Sequence, residues 1–243
     1  MTKKTDFFIK LRDQLLDSCG KCDHSGFISF PGVRCDCLTQ YETYIELDDA
    51  GINREYWDLT FKDWKGDLVA KKRVVEYIDN IDSAYENGLG LVLHGSYGTG
   101  KTMLSSLILT AALKKEHTIR FITMAEVCDK MRSKIDNVED NSFYEDKVKN
   151  VDFLCLDNLG SEYHPTKFGT YILSTFDILA RYRRRNFLPT ILTTNLSKSD
   201  FIDLYGSAIS SLFSACSQFV QVEGKNYRDE QNKQFESKLK KKS

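Results

Sequence analysis

Apolar residues follow two different spacings along the chain, and the spacing changes near residue 89. Before that point they recur at helical intervals, which predicts amphipathic helices over residues 6–17 and 68–86. From residue 89 onward, short and nearly continuous apolar runs indicate strands buried on both faces. These strands are predicted at 89–93, 119–123, 153–156, 190–193 and 219–222.

Helix-patterned segments separate the predicted strands. They lie at about 101–115, 124–135, 167–185 and 198–213. Strands that alternate with helices are typical of an α/β domain with a mainly parallel sheet. The acidic stretch 136–146 is expected to be a loop. Residues 38–62 are polar with embedded aromatic residues, and we expect a connector whose aromatic side chains serve as docking core rather than stack on nucleic-acid bases.

Composition narrows the class of protein. The 243 residues include 34 Lys and Arg against 35 Asp and Glu, a formal net charge of −1. Bulk charge therefore does not drive this protein onto nucleic acid, and any such contact must use a local patch. No apolar run approaches the roughly 20 residues that span a bilayer, and the first residues do not look like a signal peptide. We therefore expect a cytosolic protein without a membrane partner.

The segment after the first predicted strand fits a phosphate-binding loop. Residues 95–102, G-S-Y-G-T-G-K-T, match G-x-x-x-x-G-K-[ST] in full, between a predicted strand and a predicted helix. Glycines let backbone N–H groups point at phosphate oxygens, and the helix adds its positive N-terminal end. Lys101 would reach the β- and γ-phosphates, and Thr102 would ligate Mg²⁺. The alternative is a chance glycine-rich turn. The expected nucleotide contacts are Gly95, Ser96, Tyr97, Gly98, Thr99, Gly100, Lys101, Thr102 and Met103.

A second predicted strand ends in an acid. Asp157 closes the buried run 151–157, which suits a Walker B aspartate that holds Mg²⁺, although helix capping is a common alternative there. Many ATPases place an acid at the next position as the base that orients water. Here that residue is Asn158, whose amide orients water but accepts no proton. Glu162 lies nearby as a substitute, and weak intrinsic hydrolysis is our hypothesis.

Asn195 follows the strand predicted at 190–193. At the carboxyl end of a parallel strand it would face the crevice where the γ-phosphate binds. Alternatively, Thr194 and Asn195 cap the helix that starts near Ser197. The spacing alone does not separate these two interpretations.

Four of the seven cysteines lie within nineteen residues. They form C-x-x-C followed by C-x-C, a pattern that suits a closed, structural Zn²⁺ site. The segment is too short to bury a core of its own, so the metal would supply its folding energy. A redox C-x-x-C pair is the alternative, and His24 is close enough to compete as a ligand. The expected ligands are Cys19, Cys22, Cys35 and Cys37.

Taken together, these motifs resemble the DnaC/DnaI-type bacterial and phage replicative helicase loaders, of the AAA+ ATPase superfamily. The resemblance covers nearly the whole chain, and the order and spacing of the matches make it specific. The matching segments are 19–37, 50–53, 59–61, 95–102, 154–162, 181–182, 188–190, 193–196 and 226–228.

The resemblance implies a function and a division of the chain. Such loaders bind the ring-shaped, hexameric replicative helicase through an N-terminal region, deliver it to single-stranded DNA, and bind ATP in the AAA+ core. Asn195 would be the sensor-1 residue; assembly of several copies of the chain is left open. About twenty residues follow Gly224, too few for a full helical lid. The implied parts are a zinc module (1–40), a connector (41–66), an AAA+ core (67–228) and a basic tail (229–243).

Two departures from the family lead us to expect weak hydrolysis. One is Asn158. The other is the lack of arginines at Ala208 and Leu212, where related loaders tend to carry one that acts on a neighbour's nucleotide. Substitutes would have to come from the cluster Arg181, Arg183, Arg184 and Arg185, which we rather expect to be a solvated helix end or a DNA-phosphate patch. The role of Arg228 is left open.

Two further functions therefore stay in view beside the loader. One is a nucleotide-gated adaptor or inhibitor that grips the helicase without turnover. The other is an IstB-like transposition helper ATPase, whose core resembles that of loaders. The N-terminal cysteines argue against the helper, because such helpers generally begin differently.

Overall fold

The computed structural model describes residues 3–29, 32–133, 138–161 and 167–227. The chain divides into two units, residues 1–57 and residues 58–243. The division into a zinc module, connector, core and tail stays a prediction.

The described part of the first unit contains two α-helices, a small hairpin and a short 3₁₀ helix (Arg54–Tyr56). Helix α1 (Lys3–Asp17) precedes strands β1 (Phe27–Ser29) and β2 (Val33–Arg34), which pair antiparallel, and helix α2 (Asp36–Asp49) follows them. The ring of Trp57 stacks on Tyr44 with centroids 5.2 Å apart and lies against the aromatic rings of α1. Tyr44 and Trp57 are thus core residues of this unit, as expected.

Helix α2 occupies a segment for which we expected only a polar connector. It buries three side chains along fourteen residues, so its apolar positions are too sparse to show a helical period. Asp36 in its first turn suits the positive end of a helix.

The second unit begins with a helix pair where one helix was expected over 68–86. Helix α3 (Leu68–Asp79) and helix α4 (Ile81–Glu86) are separated by a single residue, Asn80. Asn80 has φ −112° and ψ 27°, outside the helical region, which separates the two helices. Asp67 caps α3, because its Oδ1 accepts hydrogen bonds from the backbone N–H groups of Val69 at 2.7 Å and Ala70 at 3.3 Å.

The remaining elements alternate as the sequence predicts. In chain order they are β3 (Gly90–His94), α5 (Lys101–Leu113), β4 (Ile119–Thr123), α6 (Met124–Ser133), α7 (Val138–Tyr144), β5 (Phe153–Leu159), α8 (Lys167–Arg185), β6 (Thr190–Thr194), α9 (Lys198–Cys216, interrupted at Gly206) and β7 (Ser217–Gln221). The strands form a parallel sheet in the order β4-β5-β6-β3-β7. The predicted five-stranded parallel sheet is confirmed.

The stretch 136–146, expected to be a loop, is mainly helical. Residues 138–144 form α7, and a π-helical turn follows at Glu145–Lys149; residues 134–137 lie outside the described part of the chain. Tyr144 and Val148, four residues apart, are both buried in the core. Their burial outweighs the acidic composition on which the loop prediction was based.

Arg183 is fully buried at the amino ends of β5 and β6. The five N–H groups of its guanidinium reach six acceptors, one of them by a shared hydrogen: the side chain of Thr190 and the carbonyls of Val148, Lys149, Val151, Asp152 and Pro189. Burial lowers its pKa to about 9. The side chain therefore satisfies carbonyls of the turn before β5, and this arginine belongs neither to a solvated helix end nor to a DNA patch.

Candidate nucleotide-binding site

The loop between β3 and α5 has a backbone that only glycine adopts readily. Gly95, Gly98 and Gly100 have φ of 148°, 74° and 95°. A Cβ on Gly95 would lie 2.2 Å from the carbonyl oxygen of Val222, and one on Gly98 would lie 1.8 Å from Oδ1 of Asn226. The motif glycines are therefore required by conformation and by close packing, and the loop leads directly into the N-terminus of α5.

Lys101 is the first residue of α5 and curls back over the loop. Its ammonium Nζ donates to the carbonyl oxygens of Gly95 at 2.8 Å and Ser96 at 2.7 Å, and the residue is only 7% exposed. Thr99 Oγ1 donates to the same Ser96 carbonyl at 3.0 Å. The positive charge is thus held beside the glycine-rich backbone, where phosphate oxygens bind in loops of this kind.

The two outer members of the predicted nucleotide set differ in exposure. Tyr97, at the tip of the loop, is 65% exposed. Met103 lies in the first turn of α5 and is half-buried. Their contact with nucleotide stays a prediction.

A histidine and a further cation lie at the same end of the sheet. His94 is the last residue of β3, and its pKa is lowered by burial and by the charges of Lys101 and Lys198. Lys198 begins α9, the helix that follows β6. The carboxyl ends of β3 and β6 therefore present positive charge, which favours an anionic ligand.

Thr102 on α5 contacts Asp157 near the carboxyl end of β5. The hydroxyl of Thr102 donates to Oδ1 of Asp157 at 3.3 Å. A hydroxyl and a carboxylate are oxygen ligands of the kind that Mg²⁺ prefers, and this ion usually completes its shell with water and substrate phosphates. The pair fits a magnesium site, in which the ion would neutralise phosphate charge.

A β-bulge near the end of β5 changes the direction in which its side chains point. Leu156 pairs with Leu192 and Leu159 pairs with Thr194, so three residue steps on β5 face two on β6. The extra residue lies at Asp157–Asn158, and Asn158 takes a left-handed φ of 57°. Bulges of this kind turn side chains and often lie beside functional sites, and asparagine tolerates the left-handed region better than most residues.

Asn158 and Asn195 contact each other directly. Asn195 Nδ2 donates to Oδ1 of Asn158 at 3.0 Å, and Asn158 Nδ2 donates to Oγ of Ser161 at 2.8 Å. Ser197, with Asp200, caps α9, so the alternative that Asn195 caps this helix is wrong. The side chain of Asn195 thus lies beside the residue that replaces the usual acid. Glu162, the suggested substitute, lies outside the described residues.

Two aromatic residues hold the loop from elements distant in sequence. Trp64 packs against Gly100, where an added Cβ would lie 2.5 Å from its ring, and donates its indole N–H to the Asp67 carbonyl at 3.0 Å. Tyr227 donates its backbone N–H to the Gly98 carbonyl at 3.0 Å. The role of Trp64 has no signal in the sequence, because no local pattern links residue 64 to a loop more than thirty positions later.

Comparison with known proteins agrees with this geometry. The sequence profile of the family described as IstB-like ATP binding protein matches residues 54–235, most of the chain. The protein belongs to the IstB-like ATP-binding family. The match covers the phosphate-binding loop, both asparagines of the pair and the whole parallel sheet. The four clustered cysteines precede it.

This IstB-like chain is also similar to replicative helicase loaders. It is 24% identical over 166 residues to the replicative helicase loader DnaC of Escherichia coli K12, a match that spans 66% of this chain and 64% of the relative. The crystal structure of the DnaC helicase loader superposes with a TM-score of 0.60 at 24% identity, covering 70% of this chain and all of that one. The crystal structure of DnaI gives 0.57 at 22% identity, with 72% and 93% covered. These structures establish the fold.

The four N-terminal cysteines of this IstB-like protein converge in space. Their sulfur atoms all lie within 4.8 Å of one another, and the pairs Cys19–Cys35 and Cys22–Cys37 are each 3.5 Å apart. Sulfurs at about 2.3 Å from a tetrahedral zinc lie about 3.8 Å apart, so the arrangement fits that ion. The backbone N–H of Lys21 lowers the pKa of Cys19 to about 7, whereas burial raises the pKa of Cys37 to about 12.

Other predicted ligands and cations lie elsewhere. His24 pairs with Asp17 at 3.3 Å and is not among the residues that converge with the four sulfurs. Arg181 pairs with Asp177 at 2.8 Å, and Arg184 lies 5.9 Å from the ring of Phe187. Arg185 is exposed. Arg228 lies outside the described residues. Among the described helices, none is long and apolar enough to cross a membrane.

Proposed function

We propose that this protein is an ATP-binding helicase loader that binds the replicative DNA helicase and helps to place it on single-stranded DNA. The observation that carries the proposal is the likeness to DnaC over 166 residues, which includes the phosphate-binding loop. Because the match spans only 64% of that relative, the partner and the loading activity are brought to this chain as a proposal.

The site supports ATP and Mg²⁺ as the ligands of this loader. Lys101 and the N-terminus of α5 bind the phosphates, while Thr102 and Asp157 hold the metal. Asn195 orients the γ-phosphate or the attacking water as sensor 1. The ion would supply charge neutralisation at the phosphates; the residues of the chain bind and orient.

Zinc is the second metal of the proposal. The four converging thiols of the first unit suit a closed site, in which the metal stabilises a hairpin that has little core of its own. This module belongs to the N-terminal region through which we propose that the helicase is bound.

The test of this proposal is complex formation. With ATP and Mg²⁺ present, the full-length protein and its cognate helicase should elute from size exclusion as one discrete complex, whose mass is measured by light scattering. ATP and Mg²⁺ are included because a ligand that binds only the folded protein stabilises it. Separate elution of the two folded, zinc-loaded proteins would contradict the loader proposal and favour an ATPase of another pathway.

A nucleotide-gated adaptor without turnover is the second candidate. The observation that favours it is the asparagine pair, since both ends of the Asn158 carboxamide are engaged, by Asn195 and by Ser161. An amide also accepts no proton from water. Ala208 and Leu212 on α9 supply no arginine. Such an adaptor would bind the helicase and nucleotide without placing the helicase on DNA.

An IstB-type transposition helper is the third candidate. Membership of the IstB-like family favours this function in the core. The cysteine cluster, which lies outside the matched residues, and the DnaC likeness favour the loader. Remodelling of target DNA without any helicase binding would support the helper.

A further inference from the structure

The bulge at Asp157–Asn158 leaves a backbone group that the regular ladder does not pair. The N–H of Asn158 donates instead to the side-chain hydroxyl of Thr193 on the neighbouring strand β6, at 2.8 Å. Asn158 is an exposed residue, but the hydroxyl that accepts from it belongs to the buried Thr193, so this bond ties the bulged backbone to the neighbouring strand.

The same hydroxyl also holds the Walker B acid. Thr193 Oγ1 donates to Oδ1 of Asp157 at 2.6 Å, the carboxylate oxygen that Thr102 approaches at 3.3 Å. Thr193 is only 2% exposed, so water does not readily replace either bond. One side chain thus fixes the orientation of the carboxylate and the backbone of the next residue.

We propose that Thr193 is a positioning residue of the magnesium site, which its hydroxyl builds by tying Asp157 to the bulged backbone of Asn158. This inference rests on the proposed function of the site as a Mg²⁺–ATP site. Residues that hydrogen-bond a ligating carboxylate orient it, and their loss lowers metal affinity by about 10- to 100-fold. Thr193 would act through Asp157 and need not touch the ion.

The next residue offers a matched control. Thr194 lies on the same strand and is equally buried. Its hydroxyl also makes two hydrogen bonds, donating to the Leu159 carbonyl at 2.7 Å and accepting from the Leu196 N–H at 3.1 Å. Both of these bonds link the Thr194 hydroxyl to backbone groups, and neither involves Asp157. Replacing Thr194 by valine therefore removes a comparable buried hydroxyl without loosening the acid.

The experiment measures how much Mg²⁺ contributes to nucleotide affinity. Full-length protein is titrated calorimetrically with the non-hydrolysable analogue adenylyl imidodiphosphate, once with Mg²⁺ and once with EDTA. Thr193→Val should lose about tenfold or more of the Mg²⁺-dependent gain in affinity, with its affinity in EDTA unchanged. Thr193→Ser, which keeps the hydroxyl, should restore the gain, and Thr194→Val should retain it. Thermal unfolding identifies variants that do not fold, in which case Thr193→Ala carries the same comparison.

The outcomes separate the inference from the proposed function. A Mg²⁺-dependent gain that survives Thr193→Val, or that Thr194→Val loses equally, would overturn the positioning role while leaving the nucleotide site in place. Equal loss of affinity in Mg²⁺ and in EDTA would also overturn it, because the hydroxyl would then be merely structural. A wild-type protein that binds no analogue in either condition would instead contradict the proposed function.

Discussion

Lys101→Ala should abolish measurable ATP binding while the second unit stays folded. The ammonium is nearly buried and is held over the loop by the Gly95 and Ser96 carbonyls. Truncating one partner of a buried, hydrogen-bonded charge pair costs about 2–5 kcal/mol, which lowers affinity by about thirtyfold to several thousandfold and takes the upper part of that range beyond measurement. Equilibrium titration with ATP in the presence of Mg²⁺ measures this loss.

A lysine at the other end of the same helix supplies the control. Lys114 directly follows α5 and is exposed. Lys114→Ala removes the same charge about thirteen positions along the chain from Lys101, and ATP affinity should stay at the wild-type value. Affinity that falls equally in both variants would point to a general effect of net charge. Affinity retained by a folded Lys101→Ala protein would contradict the assignment of the phosphate-binding site.

Cys35→Ser should remove the bound zinc and destabilise the N-terminal module that carries the four cysteines, leaving the second unit folded. Zinc in small modules of this kind supplies about 10–16 kcal/mol of apparent binding free energy. The four cysteines form a small core cluster with Leu16 as the one other apolar partner among the described residues, so little else would hold the hairpin together. Metal analysis should find one zinc in the wild-type protein, and limited proteolysis should cut the variant within residues 1–57 only.

Cys216→Ser is the matched control for the zinc site. Cys216 is buried in α9, far from the cluster in sequence, and its thiol donates to the Leu212 carbonyl at 3.1 Å, a bond that a serine hydroxyl can keep. Its zinc content and proteolytic pattern should match the wild type. A wild-type protein without metal, whose N-terminal cysteines are paired as disulfides, would favour the redox interpretation. Resistance of residues 1–57 to proteolysis after chelation would contradict a structural zinc.

The parallel sheet was predictable because its strands are buried on both faces and therefore leave a pattern in the sequence. Strands buried on both faces consist of nearly continuous apolar residues, and such runs occur at 89–93 and 153–156, close to β3 and β5. The phosphate-binding loop was predictable for a different reason, since its chemistry depends on glycines at fixed positions in one short segment. Both signals are local in sequence.

The missed elements depend on contacts made after the chain folds. Helix α7 and its π turn form where Tyr144 and Val148 become buried. Arg183 carries a charge that predicts exposure, yet it is fully buried because carbonyls from the turn before β5 surround it. Neither effect follows from periodicity.

Around Asp157, too, some features were predictable from the sequence and others depend on the fold. The sequence indicates the acid and the asparagine after it. The bulge, the left-handed backbone of Asn158 and its bond to Thr193 depend on how β5 pairs with β6. Pairing across thirty-five residues leaves no local signal, so the role of Thr193 emerges only from the structure.

The most direct test of the loader proposal is transfer of the helicase onto a covalently closed circle of single-stranded DNA. A closed circle has no end to thread, so a ring-shaped helicase must be opened or assembled around it. With ATP, Mg²⁺ and this protein, helicase should be retained on the circle in gel filtration, and Lys101→Ala should reduce retention to the level of helicase alone. Retention that is the same without this protein, or that this protein lowers while still binding the helicase, would contradict the loader function and favour the adaptor.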